Sequence, residues 1–215
     1  MLVACEFSGV VRDAFRRRGH DAWSCDLLPS ERPGQHIQGD VLPHLGDGWD
    51  LMIAHPPCTH LAASGAKHFG AKRADGRMGR AYEFFMELWN APVPRVCIEN
   101  PVGVMSSLWR PPDQVVQPWY FGDEAQKTTC LWLRGLPPLF HAADDELFSR
   151  RTHVGRGEFV VTSGGRRLPK WYSNAHGRNG TTRATERGRT FPGLAREMAR
   201  QWLPVATRAE VETLK

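Results

Sequence analysis

Short apolar runs and helical stripes alternate through the first half of the chain. Leu2–Cys5 is apolar and predicts a buried strand. Ser8-Gly9 reads as a turn, and Val10–Arg18 as a helix with Val11, Ala14 and Phe15 on one face and Arg16, Arg17 and Arg18 towards solvent. Ala22–Cys25 predicts a second strand that ends at Asp26, and Asp50–Ala54 a third that runs into His55-Pro56-Pro57-Cys58. A helix is expected around Arg80–Trp89, where Ala81, Phe84, Phe85 and Leu88 recur at helical spacing. Val96–Ile98 predicts another strand, stopped by Glu99-Asn100-Pro101. Strands alternating with helices imply parallel βαβ units with helices on both faces of the sheet, an α/β fold. In such sheets ligands lie at the carboxyl ends of the strands, so Glu6, Asp26, His55 to Cys58 and Glu99-Asn100 are expected along one edge.

Beyond Pro111 the pattern changes. Pro111, Pro112, Pro118, Pro137 and Pro138 interrupt the chain, and Cys130–Leu133 predicts a further strand. Residues 140–189 are turn-rich, with one strand expected at Phe159–Thr162 leaving through Ser163-Gly164-Gly165. Leu194, Ala195, Met198 and Trp202 then form one stripe of a final helix that should pack back on the sheet. The expected organisation is a body of residues 1–139 and 190–215 with a small lobe, 140–189, inserted in it.

Composition narrows the class. The chain has 215 residues, 41% hydrophobic and 24% charged, which suits one globular domain. No stretch approaches the roughly 20 apolar residues of a membrane span. Five cysteines without a C-x-x-C pair, and a start that meets Glu6 without a basic leader, point to a reducing cytoplasm. The net charge of +5 is unevenly spread: residues 150–200 hold twelve Lys and Arg against three acidic residues. A basic segment of that kind, with aromatics and glycines interleaved, suggests a surface for a polyanion. Trp171-Tyr172 among Arg166, Arg167, Lys170 and Arg178 could stack on bases or cover the lobe's own core, and both readings stand.

Pro56-Pro57-Cys58 after a strand is the most informative tripeptide. Two prolines fix the backbone and present the next side chain rigidly, and a cysteine so held can act as a nucleophile. Cys5, Cys25 and Cys97 lie inside apolar runs and read as buried small residues. Glu99, at the end of a neighbouring strand, supplies a carboxylate close enough to approach Cys58. His55, Cys58 and His60 form an H-x-x-C-x-H cluster, but no fourth ligand is evident and no metal is expected.

With these motifs in this order, the chain resembles the DNA (cytosine-5) methyltransferase family. Glu6-Phe7-Ser8-Gly9 looks like that family's cofactor loop, Asp26 like its ribose-binding acid, and Gly39-Asp40-Val41 like its adenine-binding segment. Asp50 through Cys58 resembles the nucleophile motif, with Ser64-Gly65 as its tail, Cys97-Ile98-Glu99-Asn100 resembles the Glu-Asn strand, and Thr190-Phe191-Pro192-Gly193 the closing motif. Ala54-His55, Thr59 and Pro101 depart from the family's usual residues. Thr128 and Cys130 stand where the family usually carries arginines, which leaves Lys127 and Arg134 as candidates for contacting the target base.

The resemblance implies a Rossmann-like S-adenosylmethionine-dependent methyltransferase fold, with a mostly parallel sheet and a small basic target-recognition lobe. It implies Phe7, Ser8, Gly9, Asp26, Leu27, Asp40, Val41 and Pro56 at the cofactor, and Pro57, Cys58, Glu99 and Asn100 at the reaction. Lys127, Arg134, Arg166, Arg167, Lys170, Trp171 and Arg178 would meet DNA. A double-stranded DNA substrate, S-adenosyl-L-methionine, a monomer and the cytoplasm of a bacterial or phage-infected cell are the corresponding expectations. The same chemistry on RNA or another pyrimidine, and a catalytically silent DNA-binding relative, are the alternatives.

Overall fold

The computed structural model describes residues 1–144, 150–174 and 187–203. Its strands are β1 (Leu2–Ala4), β2 (Trp23–Asp26), β3 (His36–Gln38), β4 (Met52–Ala54), β5 (Val96–Pro101), β6 (Gln114–Val116), β7 (Thr129–Arg134), β8 (Phe159–Val161) and β9 (Arg167–Pro169). The helices are α1 (Val10–Arg16), α2 (Phe69–Ala74), α3 (Arg77–Asn90), α4 (Met105–Leu108), α5 (Lys170–Asn174) and α6 (Pro192–Trp202).

Seven strands form one sheet in the order β3-β2-β1-β4-β5-β7-β6. The pairings from β3 through β5 are parallel, and β7 alone runs against its neighbours β5 and β6. This mostly parallel sheet is consistent with a Rossmann-like methyltransferase fold.

Strand alternation builds a core on each face. Val3, Ile53, Cys97 and Leu131 point to one side, where Val11 and Phe15 of α1 and Leu194, Met198 and Trp202 of α6 cover them. Leu2, Ala4, Met52, Val96, Ile98 and Trp132 point to the other, against Met78, Phe85 and Leu88 of α3. Full burial of side chains such as Phe15, Phe85 and Leu88 contributes about 1.5–3 kcal/mol each. After β1 the chain turns to one face and after β4 to the other. The crevice at the carboxyl ends of β1 and β4 is therefore the sheet's switch point, where such folds bind ligands.

Several boundaries differ from those read in the sequence. α1 stops at Arg16 because Gly19, at φ 85°, closes a tight turn back onto the Arg16 carbonyl. α3 begins at Arg77, since Gly76 takes a left-handed conformation and the Asp75 carboxylate accepts the Arg77 amide N–H. β5 does not stop at Ile98. It continues through Pro101 because Glu99, Asn100 and Pro101 pair with Leu131, Cys130 and Thr129 of β7. The inserted hairpin pairs Phe159–Val161 with Arg167–Pro169, turning through Gly165 at φ 76°.

Candidate active site at the strand ends

The loop after β4 is fastened from several sides. The His55 amide donates to the Ala4 carbonyl at 2.9 Å, which carries the β1–β4 ladder one step beyond Ala54. The buried Asn100 side chain donates to the Pro56 carbonyl at 2.9 Å, tying this loop directly to β5. The Leu61 and Ala62 amides donate to the Cys58 carbonyl, and the inward-turned Lys72 ammonium donates to the Thr59 carbonyl at 2.6 Å. Beyond Cys58, Ala62 bridges to Gly103. A side chain at Gly103 would lie 2.1 Å from the Leu61 carbonyl, so only glycine allows that approach.

Glu99 sits almost wholly buried beside this loop. Its Oε2 is 3.0 Å from His55 Nδ1, and Lys127 Nζ lies 3.9 Å from Oε1. Burial pushes the Glu99 carboxyl up, but the Lys127 charge and the His55 hydrogen bond and charge outweigh it and hold it at about 2. Glu99 is therefore a carboxylate that can accept hydrogen bonds and cannot donate one. Hydrogen bonding to an ionised Oε2 places a proton on His55 Nδ1, while His55 Nε2 is buried with no partner in the protein. The half-buried Cys58 thiol is pushed up, first by burial and then by the Glu99 charge, with Lys127 and Lys72 pulling the other way. At neutral pH the resting side chain is a thiol, which must lose its proton before it can attack.

The cofactor-side candidates divide into two groups. Phe7, half-buried, follows β1, Asp26 closes β2, and Asp40 lies exposed two residues after β3. The Asp26 carboxyl, raised by burial, accepts the Leu28 amide, and Asp40 accepts the Leu42 amide. These three carry polar or aromatic groups along the crevice edge, and Pro56 and Val41 are buried beneath it. Leu27 is largely exposed. Ser8 points inward instead, its hydroxyl donating to Glu6 at 3.2 Å. Glu6 is buried and accepts the Val11 and Arg12 amides at 2.7 and 3.1 Å, so it closes the start of α1 from within.

One residue that sequence reasoning missed organises this edge. Arg12 is fully buried, and its guanidinium donates to the Ser24 and Ser30 hydroxyls and the Arg32 and Pro33 carbonyls. It anchors the connection from β2 to β3, which begins at Leu27 directly after Asp26. Gly9 takes a left-handed conformation at φ 68°, which disfavours any side chain, and one there would also lie 2.5 Å from the Arg12 guanidinium. A lone arginine between Val11 and Asp13 carries no signal of burial in the sequence.

The residues expected to meet DNA are dispersed. Lys127 lies beside Glu99. Arg134 stands at the opposite end of β5, where its guanidinium donates to the Trp89, Ala91 and Val93 carbonyls and closes the end of α3. Arg166 is exposed on the hairpin turn, Arg167 stacks on Phe159, and Lys170 pairs with Glu158. The Trp171 indole N–H donates to the Gln126 carbonyl at 3.1 Å and its ring meets Phe191 edge-on. That contact docks the lobe on the segment that carries Lys127. Arg178 lies outside the described residues. Among the described residues, no three His, Cys, Asp or Glu side chains are grouped to hold a metal ion.

No family model and no curated protein match the chain. Among solved structures it is similar to a protein provisionally described as a DNA modification methyltransferase encoded within a prophage of E. coli. The two share 16% identity at a TM-score of 0.41, over 79% of this chain and 56% of that one. The chain thus spans little more than half the length of that structure. The fold assignment stands on the sheet's own strand order and directions.

Proposed function

We propose that this chain is an S-adenosylmethionine-dependent DNA methyltransferase that methylates C5 of cytosine through Cys58. One observation carries the reading. The Asn100–Pro56 bond brings the loop of Cys58 against the strand end of Glu99, whose carboxylate is held ionised by His55 and Lys127.

The crevice suits an adenosyl cofactor in its donor set. The Phe7 ring offers an aromatic face, the half-buried Asp26 carboxylate can accept two ribose hydroxyls, and Asp40 can accept an amino group. Glu6 already fills the start of α1, so that helix end is closed to an anionic group. When bound, S-adenosylmethionine supplies an electrophilic methyl group. The protein residues do the rest. A cytosine in a duplex hides C5 and C6 within the stack, so the base must be extruded at a cost of a few kcal/mol. Glu99, an obligate acceptor, matches the 4-amino group of cytosine and repels the carbonyl oxygen that uracil and thymine carry there. The Cys58 thiol loses its proton to solvent water and its sulfur adds to C6, while the Lys127 ammonium offsets the negative charge that spreads over the ring. C5, made nucleophilic by the addition, would take the methyl group as its bond to the sulfonium breaks, which would leave the cofactor as a neutral thioether. Loss of the C5 proton and cleavage of the C6–S bond restore the aromatic base and the thiolate.

The test is transfer of a labelled methyl group to duplex DNA, single-stranded DNA and RNA in parallel, with sequencing of 5-methylcytosine in the product. The expected result is 5-methylcytosine in duplex DNA, absent with Cys58→Ala. Transfer to RNA alone, methylation at another atom, or unchanged turnover by Cys58→Ala would overturn the reading.

A further inference from the structure

The basic surface that sequence composition points to lies in the C-terminal lobe, but a second one flanks the nucleophile itself. Residues 59–80 hold Lys67, Lys72, Arg73, Arg77 and Arg80 against a single acid, Asp75. Helix α3 carries two stripes. Met78, Phe85 and Leu88 enter the core. Arg77, Arg80, Ala81 and Phe84, spaced i, i+3, i+4 and i+7, form the other and face Pro57 and His60 across a cavity of about 290 Å³. Pro57 and His60 are near neighbours of Cys58 in its own fastened loop, so the cavity adjoins the loop that carries Cys58.

The lining is suited to a nucleotide. Arg77 and Arg80 are exposed, and the Asp75 carboxylate fixes the Arg77 guanidinium by accepting from its Nε at 2.8 Å. Phe84 and Ala81 give the inner wall an apolar surface. His60 lines the same cavity from the Cys58 loop, opposite the two arginines. Paired guanidinium groups over an apolar wall recognise a phosphodiester and the sugar or base attached to it.

We propose that Arg77, Arg80 and His60 form a binding site for the backbone phosphate of a nucleotide adjacent to the one offered to Cys58. The proposal rests on a nucleic-acid substrate at Cys58. It adds a second anchor, on α3 and the Cys58 loop, to the one expected of the C-terminal lobe.

The experiment is a binding titration of a labelled duplex at several salt concentrations without cofactor, run beside thermal melts and methyl-transfer assays. Each phosphate contact removed lowers the salt slope by about 0.9. Arg77→Ala with Arg80→Ala is expected to weaken binding about tenfold or more and to lower the slope by nearly two, at an unchanged melting temperature. Arg77→Lys with Arg80→Lys keeps both charges and should restore the slope, whereas Arg80→Glu should weaken binding further than Arg80→Ala. Wild-type affinity and slope in the double alanine variant would overturn the site. Failure of the catalytic reading is separable: a wild type that binds DNA but transfers no methyl group, with the slope still falling in the variant, removes the chemistry and leaves the phosphate site in place.

Discussion

The strand-end site and the C-terminal lobe both concentrate charged residues, and they treat them in opposite ways. At the strand ends, Glu99 and His55 are buried against each other, Lys127 approaches from a third element, and Asn100 locks the loop beside them. In the lobe, Lys170 and Glu158 pair in full solvent, Arg189 reaches Glu31, and Arg167 lies on Phe159. A buried carboxylate deprived of its partner has no water to turn to, so the strand-end network tolerates one geometry. An exposed pair exchanges its partner for water or for a phosphate at little cost. The first arrangement suits chemistry that needs fixed positions, the second suits contact with a long polyanion.

The sharpest break in this comparison is expected at Cys58. Cys58→Ala should abolish methyl transfer, and a duplex containing 5-fluorocytosine should trap the wild type as a covalent adduct visible on a denaturing gel. Cys97→Ala, fully buried in the core of β5, should leave the adduct intact and lower only the melting temperature.

Within the network, Glu99→Gln should lower turnover about 10²–10³-fold, the scale of losing one preorganised partner of a developing charge. His55→Phe, which removes the donor to Oε2, should lower turnover more than His55→Asn, whose amide can donate from nearly the same place. The network also sets a pH dependence. The folded Glu99 carboxyl is held at about 2 against an ordinary value of 4.5. Its contribution to stability is therefore complete above the ordinary value and is lost as pH falls towards 2. Chemical denaturation between pH 5 and 2 should show a flatter acid dependence for Glu99→Gln than for the wild type.

A smaller effect is expected at the crevice. Asp26→Ala and Asp40→Ala should each weaken S-adenosylmethionine binding by about 1–3 kcal/mol, measured by calorimetry. DNA binding without cofactor should hardly change. Unaltered cofactor affinity in both variants would detach the crevice from the reaction.

The lobe should show the smallest single-site effects. Arg166→Ala with Arg167→Ala should lower the salt slope of DNA binding by about one unit per lost contact, alike for all sequences. Trp171→Ala should act differently, because its ring docks on Phe191 and Gln126. It should lower the melting temperature and leave the salt slope unchanged, and a loss of affinity at constant slope and stability would show instead that the ring stacks on a base.

The order of strands and helices, the rigid Pro56-Pro57-Cys58 loop and the gathering of polar residues at one sheet edge could be read from the sequence alone. Each depends on local periodicity or on residues adjacent in the chain. Three-residue strands such as β3, with His36 and Gln38, and β6, with Gln114, have no such periodicity and exist because a finished sheet offers them an edge. Burial of Arg12 likewise depends on carbonyls some twenty residues away.

The fate of the two candidate cations shows the division most plainly. Lys127 and Arg134 are seven residues apart, and sequence reasoning left them equivalent. β7 runs antiparallel to β5, with Thr129 opposite Pro101 and Arg134 opposite Val96, so the two ends of β7 lie about 17 Å apart along the sheet. That direction delivers Lys127 to the carboxyl end of β5, beside Glu99, and carries Arg134 to the far end, against the last carbonyls of α3. The residue types came from the sequence, but only the reversed strand decided which cation reaches the site.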